Sequence, residues 1–184
     1  MRKLMFFAAV LCLFTMSAFA QKASFAGTWT LDKEKSKLDD RMRNNIESMT
    51  WMVAQTDTEL KVTTATKRQA PPADAPARPG GGGGMGRGGF GGGDGTTAYD
   101  LTGKETKVEV EGRGGKVPQT LKATASGGKL QLSKSVTMTT DMGEMTMTTK
   151  ETWELGADGK TMTVTREQTN PRGTNTSTLV FVKS

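Results

Sequence analysis

The C-terminal part of the chain is a series of short alternating segments separated by turn residues. From residue 117 onward, apolar side chains recur at every second position, which is typical of strands with one buried face. The segments are divided by turn-forming stretches at 126–129, 141–144, 156–159 and 170–173. The first of these contains two adjacent glycines, which suit the tight turn of a β-hairpin. The pattern therefore predicts an antiparallel meander over residues 117–183.

The turns also predict which residues face one another across neighbouring strands. A register can be checked by asking whether apolar residues oppose apolar residues, because a one-residue slip moves every side chain to the other face. The predicted turn pairs are Thr140 with Met145, Leu155 with Lys160 and Thr169 with Thr174. The opposing pairs that follow are Met138 with Met147, Leu132 with Trp153, Leu130 with Leu155, Trp153 with Met162, Val164 with Leu179 and Met162 with Phe181. Each turn joins one apolar face to another, which supports the meander.

Residues 25–31 are predicted to form the first strand of the fold. Phe25, Gly27, Trp29 and Leu31 share one face of that strand. Gly27 leaves room for a close neighbour, and Trp29 supplies a large surface to bury. We expect the later strands to close around this tryptophan.

Between residues 36 and 47 the apolar period changes from two to about four. Leu38, Met42 and Ile46 would share one face of a short amphipathic helix, with Ser36 and Asp39 resembling a capping box. Such a helix can act as a lid or can simply plug one end of a sheet. Packing of the apolar stripe favours the plug.

Two further hairpins are predicted before the meander. In the first, the alternating residues before and after the turn at 56–59 place Val53 opposite Val62. The second runs from Tyr99 through a turn at 102–103 to Val110. Both would add strands to the same sheet.

The first twenty residues have the features of a secretory signal peptide. Arg2 and Lys3 precede an apolar run from 4 to 13, and a small-x-small site ends at Ala20. The run is short for a membrane span, and no later stretch could serve as a transmembrane segment. Cys12 lacks the small preceding residue of a lipid-anchored precursor. We therefore predict a soluble bacterial protein, cleaved after Ala20 and either periplasmic or secreted.

Residues 70–95 have no periodicity and are rich in proline and glycine. Such a stretch cannot bury enough apolar surface to offset its ordering entropy, so we expect a disordered loop that interrupts one domain spanning 21–184. One Arg-Gly-Gly element at 87–89 is weak evidence for RNA binding. The loop also lacks the strand and helix that flank a phosphate-binding loop.

Composition narrows the possible chemistry. The chain has no histidine, and its one cysteine, Cys12, lies in the predicted signal peptide, which excludes disulfides and zinc sites built on sulfur or imidazole. Removing Arg2 and Lys3 lowers the formal net charge from +6 to +4. The remaining basic residues are scattered among acidic ones, which does not predict nucleic-acid binding. No cofactor is predicted, and no motif places a nucleophile, so the sequence predicts a protein that is not an enzyme.

The opening Gly27-Thr28-Trp29 and the many short strands resemble the calycins, the superfamily of lipocalins and fatty-acid-binding proteins. The runs at 25–36, 151–153 and 158–161 are similar to uncharacterised secreted bacterial lipocalin-like proteins. The resemblance implies an all-β fold: an up-and-down antiparallel β-barrel of about eight to ten strands, with one short helix after the first strand. It also implies a small apolar or amphipathic ligand. In these families the tryptophan closes the barrel floor, often under an arginine, but no arginine occupies the last strand here. Gly27 and Trp29 are therefore interpreted as structural closure.

On the predicted register, three charged residues fall on the inward face of the meander. Lys134 would lie directly opposite Glu151. Arg166 would lie diagonally from Glu151, opposite Thr149 and Ser177. Charges on an inward face cost free energy unless they are paired or solvated.

Two interpretations of these charges remain open. In the first, Arg166 and Lys134 bind the anionic group of a ligand, Glu151 orients them, and Trp51 and Trp153 form apolar walls. In the second, the charges are an ion-pair network inside a filled barrel, and the protein is a structural or interaction module. Such a module could bind a protein partner through the glycine-rich loop or through Val180 and Val182, an apolar edge on the outward face of the last strand.

A third hypothesis concerns Met138, Met142, Met145 and Met147. Thioether clusters can bind Cu(I), so the segment is a candidate metal site. The predicted register makes Met138 and Met147 cross-strand neighbours in the core. That placement favours gap filling over metal binding.

Overall fold

The computed structural model describes residues 23–69, 94–112, 115–140 and 143–184. The predicted signal peptide, most of the predicted loop at 70–95, and the turn residues 141–142 lie outside these ranges, so export and loop disorder stay predictions. The strands are β1 (Gly27–Lys37), β2 (Ile46–Gln55), β3 (Glu59–Arg68), β4 (Gly95–Asp100), β5 (Thr106–Gly112), β6 (Gly115–Ser126), β7 (Lys129–Thr140), β8 (Gly143–Leu155), β9 (Thr161–Asn170) and β10 (Gly173–Lys183). One helix, α1 (Asp40–Asn45), follows β1.

The ten strands form one antiparallel sheet that curls into a nearly closed barrel. The strand order is β4-β3-β2-β1-β10-β9-β8-β7-β6-β5. The first strand pairs with the last, and each strand pairs with the next one in the chain except β4 with β5. The two ends of the sheet, β4 and β5, are not paired with each other. The predicted all-β, up-and-down barrel with one short helix after the first strand is confirmed.

The predicted hairpin from Tyr99 to Val110 is wrong. Tyr99 of β4 pairs with Leu60 of β3, whereas Val110 of β5 pairs with Val117 of β6. Leu101 leaves the strand, buries its side chain in the core, and donates its backbone N–H to the carbonyl of Thr58 at 2.8 Å. The connection at 101–105 therefore joins the two end strands of the sheet, β4 and β5, instead of linking a paired hairpin.

Three of the predicted turn registers are confirmed. Val53 lies opposite Val62, Ser126 pairs with Lys129, and Thr169 pairs with Thr174. The last register also places Val164 opposite Leu179 and Met162 opposite Phe181.

The registers on both sides of β8 are each shifted by two residues from the prediction. Thr140 pairs with Gly143, which places Met138 opposite Met145, Leu132 opposite Glu151 and Leu130 opposite Trp153. On the other side, Leu155 faces Met162, and Trp153 faces Val164. A two-residue shift keeps every side chain on the same face, so the alternating pattern cannot detect it.

The wider turn between β8 and β9 has a local cause. The carboxylate of Asp158 accepts hydrogen bonds from the backbone N–H of Lys160 and Thr161, at 2.9 and 3.0 Å, and from the Thr161 hydroxyl at 2.8 Å. These bonds hold residues 156–160 in the turn, so pairing begins at Thr161.

The helix is shorter than the sequence predicted. Strand β1 continues through Lys37, and β2 begins at Ile46, which leaves six residues for α1. Asp39 caps the helix by accepting from the backbone N–H of Met42 at 2.7 Å. Ser36 instead accepts from the backbone N–H of Val180 at 2.9 Å, across an irregularity in the β1–β10 ladder.

The helix and its flanks cover one end of the barrel, which we call the helix end. Leu38 and Ile46 belong to the hydrophobic core, and Met42 packs against it, as expected of a plug. The opposite end, which we call the floor, contains the turns after β2, β6 and β8. The fully buried aromatic residues Trp29, Trp153 and Phe181 belong to the same core.

Candidate functional site

The inward-facing charged residues meet at the middle of β7, β8 and β9. Arg166 lies directly opposite Glu151, not diagonally from it, and opposite Ser177 as predicted. Lys134 lies opposite Thr149 and therefore diagonally from Glu151, because Leu132 occupies the predicted position of Lys134. The shifted registers change the pairing but leave all three charges on one face.

Arg166 and Glu151 form a buried ion pair. The Nε of Arg166 lies 2.8 Å from Oε1 of Glu151, and their side chains are only 4% and 10% exposed. The other carboxylate oxygen, Oε2, accepts a hydrogen bond from the indole N–H of Trp153 at 2.9 Å. Each oxygen of Glu151 thus has a donor.

The pKa of Glu151 is lowered by this environment. Burial alone would raise the pKa, because it disfavours the charged carboxylate. The positive charges of Arg166 and Lys134, with hydrogen bonds from Trp153 and Arg166, outweigh burial and hold the pKa below its ordinary value. Glu151 is therefore ionised at neutral pH.

The far side of the Arg166 guanidinium lies against an aromatic wall. Its central carbon is 5.8 Å from the ring centroid of Trp51, within the range of a cation–π contact. Trp51 stacks on Phe181 at 4.2 Å and on Trp153 at 5.0 Å between centroids. The strands therefore bring together both predicted wall residues, Trp51 and Trp153, beside the predicted anion-binding residue.

Three buried polar atoms of the described residues have no hydrogen-bond partner. They are Nη1 of Arg166, Nε1 of Trp51 and Oγ1 of Thr66. Thr66 pairs with Met49, one inward position along β2 from Trp51, so it lies on the same wall of the barrel. An unpartnered buried donor costs free energy comparable to a lost hydrogen bond, and each such atom needs an explanation.

Sequence reasoning missed Thr66 and Tyr99 as parts of this environment. Tyr99 was expected only as a strand residue, but its pKa is raised, first by burial and then by the negative charge of Glu151. The phenol therefore stays neutral at any ordinary pH. The alternation of apolar and polar residues could have placed Thr66 and Tyr99 on the inward face. It could not have shown that they lie in the surroundings of Arg166.

Lys134 carries a charge that its surroundings disfavour. Burial lowers its pKa, Arg166 lowers it further, and Glu151 only partly offsets them. The unfolded chain therefore holds more protons than the folded one between the lowered pKa and the ordinary value of 10.5.

This imbalance predicts a pH dependence of stability. The free energy of unfolding of the parent protein, relative to Lys134→Met, is expected to rise as the pH increases from neutral toward 10.5. The measurement is urea denaturation at a series of pH values. Lys150→Met, on the outer face of β8, is the control and should keep the slope of the parent. Equal slopes for the parent and Lys134→Met would contradict the prediction.

The predicted closure residues Gly27 and Trp29 lie on β1, where Trp29 pairs with Trp51 of β2. The indole N–H of Trp29 donates to the carbonyl of Phe25 at 2.8 Å, and the ring is fully buried. The Nζ of Lys183, on the last strand, lies 5.3 Å from the ring centroid. A Cβ at Gly27, where φ is +139°, would lie 2.6 Å from Cε of Lys183. The positive charge next to the Trp29 ring thus comes from a lysine of the last strand, where the families that the sequence resembles often have an arginine.

The predicted apolar edge is not a sheet edge. Val180 and Val182 face outward as expected, and Val182 is 38% exposed, but β10 is paired on both sides, with β1 and β9. Strand pairing with a partner at this position is therefore blocked. The glycine-rich loop, the other proposed partner surface, lies mostly outside the described residues.

A depression of about 440 Å³ lies on the outer face of β6–β9. Its lining includes Lys122, Ser133, Lys150 and Glu167, which form one cross-strand row pointing away from the interior. Leu132 and Glu151, whose side chains belong to the inward face, also contribute to its lining.

The described residues contain neither a cluster of metal-binding side chains nor a membrane-spanning helix. Within them, no group of three or more histidine, cysteine, aspartate or glutamate side chains could hold a metal ion. None of the helical residues in the same ranges forms a helix long and apolar enough to cross a membrane.

Comparison with known proteins gives one structural similarity. No protein-family model matches the chain, and no curated protein matches it. Among solved structures, it is similar to the zebrafish ileal bile acid-binding protein complexed with cholic acid, with a TM-score of 0.46 and 16% sequence identity. The alignment covers 87% of this chain and 98% of that chain. At this TM-score the similarity carries no argument about ligands or residues.

The class of the fold follows from the architecture itself. Ten antiparallel strands run in chain order around a nearly closed barrel, and one helix follows the first strand. This is an up-and-down antiparallel β-barrel with one short helix after the first strand, the architecture that the sequence predicts.

Proposed function

We propose that this barrel binds a small amphipathic anion, whose charged group contacts Arg166, and that the protein is not an enzyme. The observation that carries the proposal is the buried Nη1 of Arg166, which has no hydrogen-bond partner although the side chain is only 4% exposed. The hydrogen bond between the guanidinium and Glu151 uses Nε. The Nη1 donor, which has no partner, is available to a second anion.

The charge of the cluster favours an anion over a cation. Arg166 and Lys134 carry two positive charges, and Glu151 carries one negative charge. A carboxylate or similar group would offset the remaining charge and would accept charge-assisted hydrogen bonds, the strongest kind available to a guanidinium. It would also favour the charged form of Lys134, which burial disfavours.

The surrounding side chains favour an apolar body for the ligand. Trp51 lies beside the guanidinium and continues into Trp153 and Phe181. Aromatic walls with a few convergent polar groups are typical of small-molecule sites. The unpartnered Trp51 N–H and Thr66 hydroxyl would add donors at the polar end of such a ligand.

The competing function is a filled structural or interaction module. The stacked rings of Trp51, Trp153 and Phe181 and the closed ion pair support it, because they already fill part of the interior. An anion-binding barrel should bind a negatively charged amphiphile more tightly than a neutral one with the same tail. A filled module should bind neither.

A matched set of twelve-carbon amphiphiles tests the proposal. Laurate, 1-dodecanol and dodecyltrimethylammonium share a tail and differ in head-group charge. Laurate is expected to bind at least about ten-fold more tightly than dodecanol, equivalent to about 1.4 kcal/mol, because only laurate offers the anion. Quenching of tryptophan fluorescence in a titration measures the affinities.

The variants must remove the cation without leaving an unpaired buried charge. The double variant Arg166→Gln/Glu151→Gln neutralises both partners and removes the guanidinium donors. Its preference for laurate over dodecanol is expected to fall, and the Lys134 charge is what remains to favour the anion. Lys150→Gln, on the outer face of β8, should retain the preference. If no amphiphile binds saturably, the filled module is the better account. If the double variant keeps the full preference of the parent for laurate, the anion site lies elsewhere.

A further inference from the structure

Three methionines lie on one face of the tip of the β7–β8 hairpin. Met138 lies directly opposite Met145, and Met147 is two residues further along β8, on the same face. The last partner of β7 on β6 is Val136, and the last partner of β8 on β9 is Thr148. The ladders that join the hairpin to β6 and β9 therefore end before its tip, where β7 and β8 pair only with each other.

Core packing does not account for these side chains. Met138, Met145 and Met147 are only partly buried and are not members of the hydrophobic core of the described residues. Met49 and Met162, by contrast, are fully buried core residues. The predicted pairing of Met138 with Met147 inside the core, which argued against a metal, is thus wrong in both register and burial.

The spacing allows the three thioethers to meet. Directly opposed residues of an antiparallel pair have Cβ atoms about 4.5–5.5 Å apart. Alternate residues of one strand are about 7 Å apart, and methionine has three rotatable side-chain bonds with which to cover that distance. A single ion held between the strands could therefore contact all three sulfur atoms.

We propose that Met138, Met145 and Met147 form a binding site for Cu(I). Thioether sulfur is a soft, neutral ligand that suits Cu(I) and offers little to Mg²⁺ or Ca²⁺, which prefer oxygen. The chain after residue 20 contains no cysteine or histidine, so thioethers are its soft side-chain donors. The site is independent of the amphiphile site, because none of its residues contacts the Arg166–Glu151 pair in the described interactions.

The test is a competition for Cu(I) between the purified protein and a chromogenic Cu(I) chelator under anaerobic conditions. The parent protein is expected to withdraw one equivalent of Cu(I) from the chelator. The triple variant Met138→Leu/Met145→Leu/Met147→Leu, which keeps the side chains apolar and similar in size, is expected to bind at least about fifty-fold more weakly. Met52→Leu, an exposed outward methionine of β2, is the control and should bind as the parent does.

A second measurement identifies the ligands directly. Ag(I), a stable soft cation with the same preference for thioethers, is titrated into protein carrying 13C-methyl methionine. The methyl resonances of Met138, Met145 and Met147 are expected to shift, while those of Met49 and Met162 stay in place. Circular dichroism of the triple variant confirms that it is folded. Failure of the parent to compete for Cu(I), or unchanged affinity in the folded triple variant, overturns the proposal.

Discussion

Replacing Glu151 by glutamine is expected to lower the free energy of unfolding by about 3–5 kcal/mol. The amide keeps the shape of the carboxylate but removes its charge, which leaves the guanidinium of Arg166 buried without a counter-charge. Lys134, whose pKa is already lowered by burial, also loses the negative charge that favours its charged form. Urea denaturation followed by tryptophan fluorescence measures the change.

Glu154 provides a matched control on the same strand. It pairs with Lys129 at 2.7 Å, but the two side chains are 47% and 54% exposed. An exposed pair contributes at most about 1 kcal/mol, so Glu154→Gln should have a small effect. If Glu151→Gln is no more destabilising than Glu154→Gln, the interior pair is solvated and does not contribute as its burial implies.

Replacing Trp29 by alanine is expected to cost about 3–5 kcal/mol of stability. The indole is fully buried at the floor, so its removal leaves a cavity. The carbonyl of Phe25, which accepts a hydrogen bond from the indole N–H, also loses its donor. It also removes the ring beneath Lys183. Thermal and urea denaturation of the variant measure the loss.

Two further variants separate the floor contact from general effects of truncation. Trp29→Phe keeps most of the ring volume and loses the N–H, so a smaller loss than for alanine is expected. Met52→Ala removes a half-exposed side chain from the outer face of β2 and should change stability by no more than about 0.5 kcal/mol. A similar loss for Trp29→Ala and Met52→Ala would show that Trp29 does not close the floor.

The pH dependence near Lys134 is the property that links stability to the proposed function. An anion bound at Arg166 would favour the charged lysine, so it would raise the lysine pKa and flatten the slope expected for the free protein. The same titration repeated with saturating laurate therefore reports on the binding site through a quantity other than affinity.

Local patterns in the sequence were sufficient to predict the strands and their faces. The alternation of apolar residues placed Arg166, Lys134 and Glu151 on the inward side, and the structure keeps all three on one face. The turn at 170–173 gave the correct β9–β10 register. These features depend on residues close in the chain, where the two-residue period and the turn chemistry act directly.

Long-range pairing was decided only by the tertiary structure. A turn signal at 102–103 does not reveal that β4 pairs with β3 and β5 with β6, because closure around a common core determines which edges meet. Nor does the alternating pattern distinguish a register from one shifted by two residues, since both bury the same side chains.

The sequence by itself therefore determined that the chain forms an antiparallel meander and which side chains share its inward face, because those properties follow from the period and the turns. The tertiary structure decided that Arg166 faces Glu151, that Lys183 covers Trp29, and that Met138 pairs with Met145 near the tip of the β7–β8 hairpin. Those contacts depend on two-residue differences in register and on closure of the first strand with the last. Neither has a signature in any local stretch of the chain.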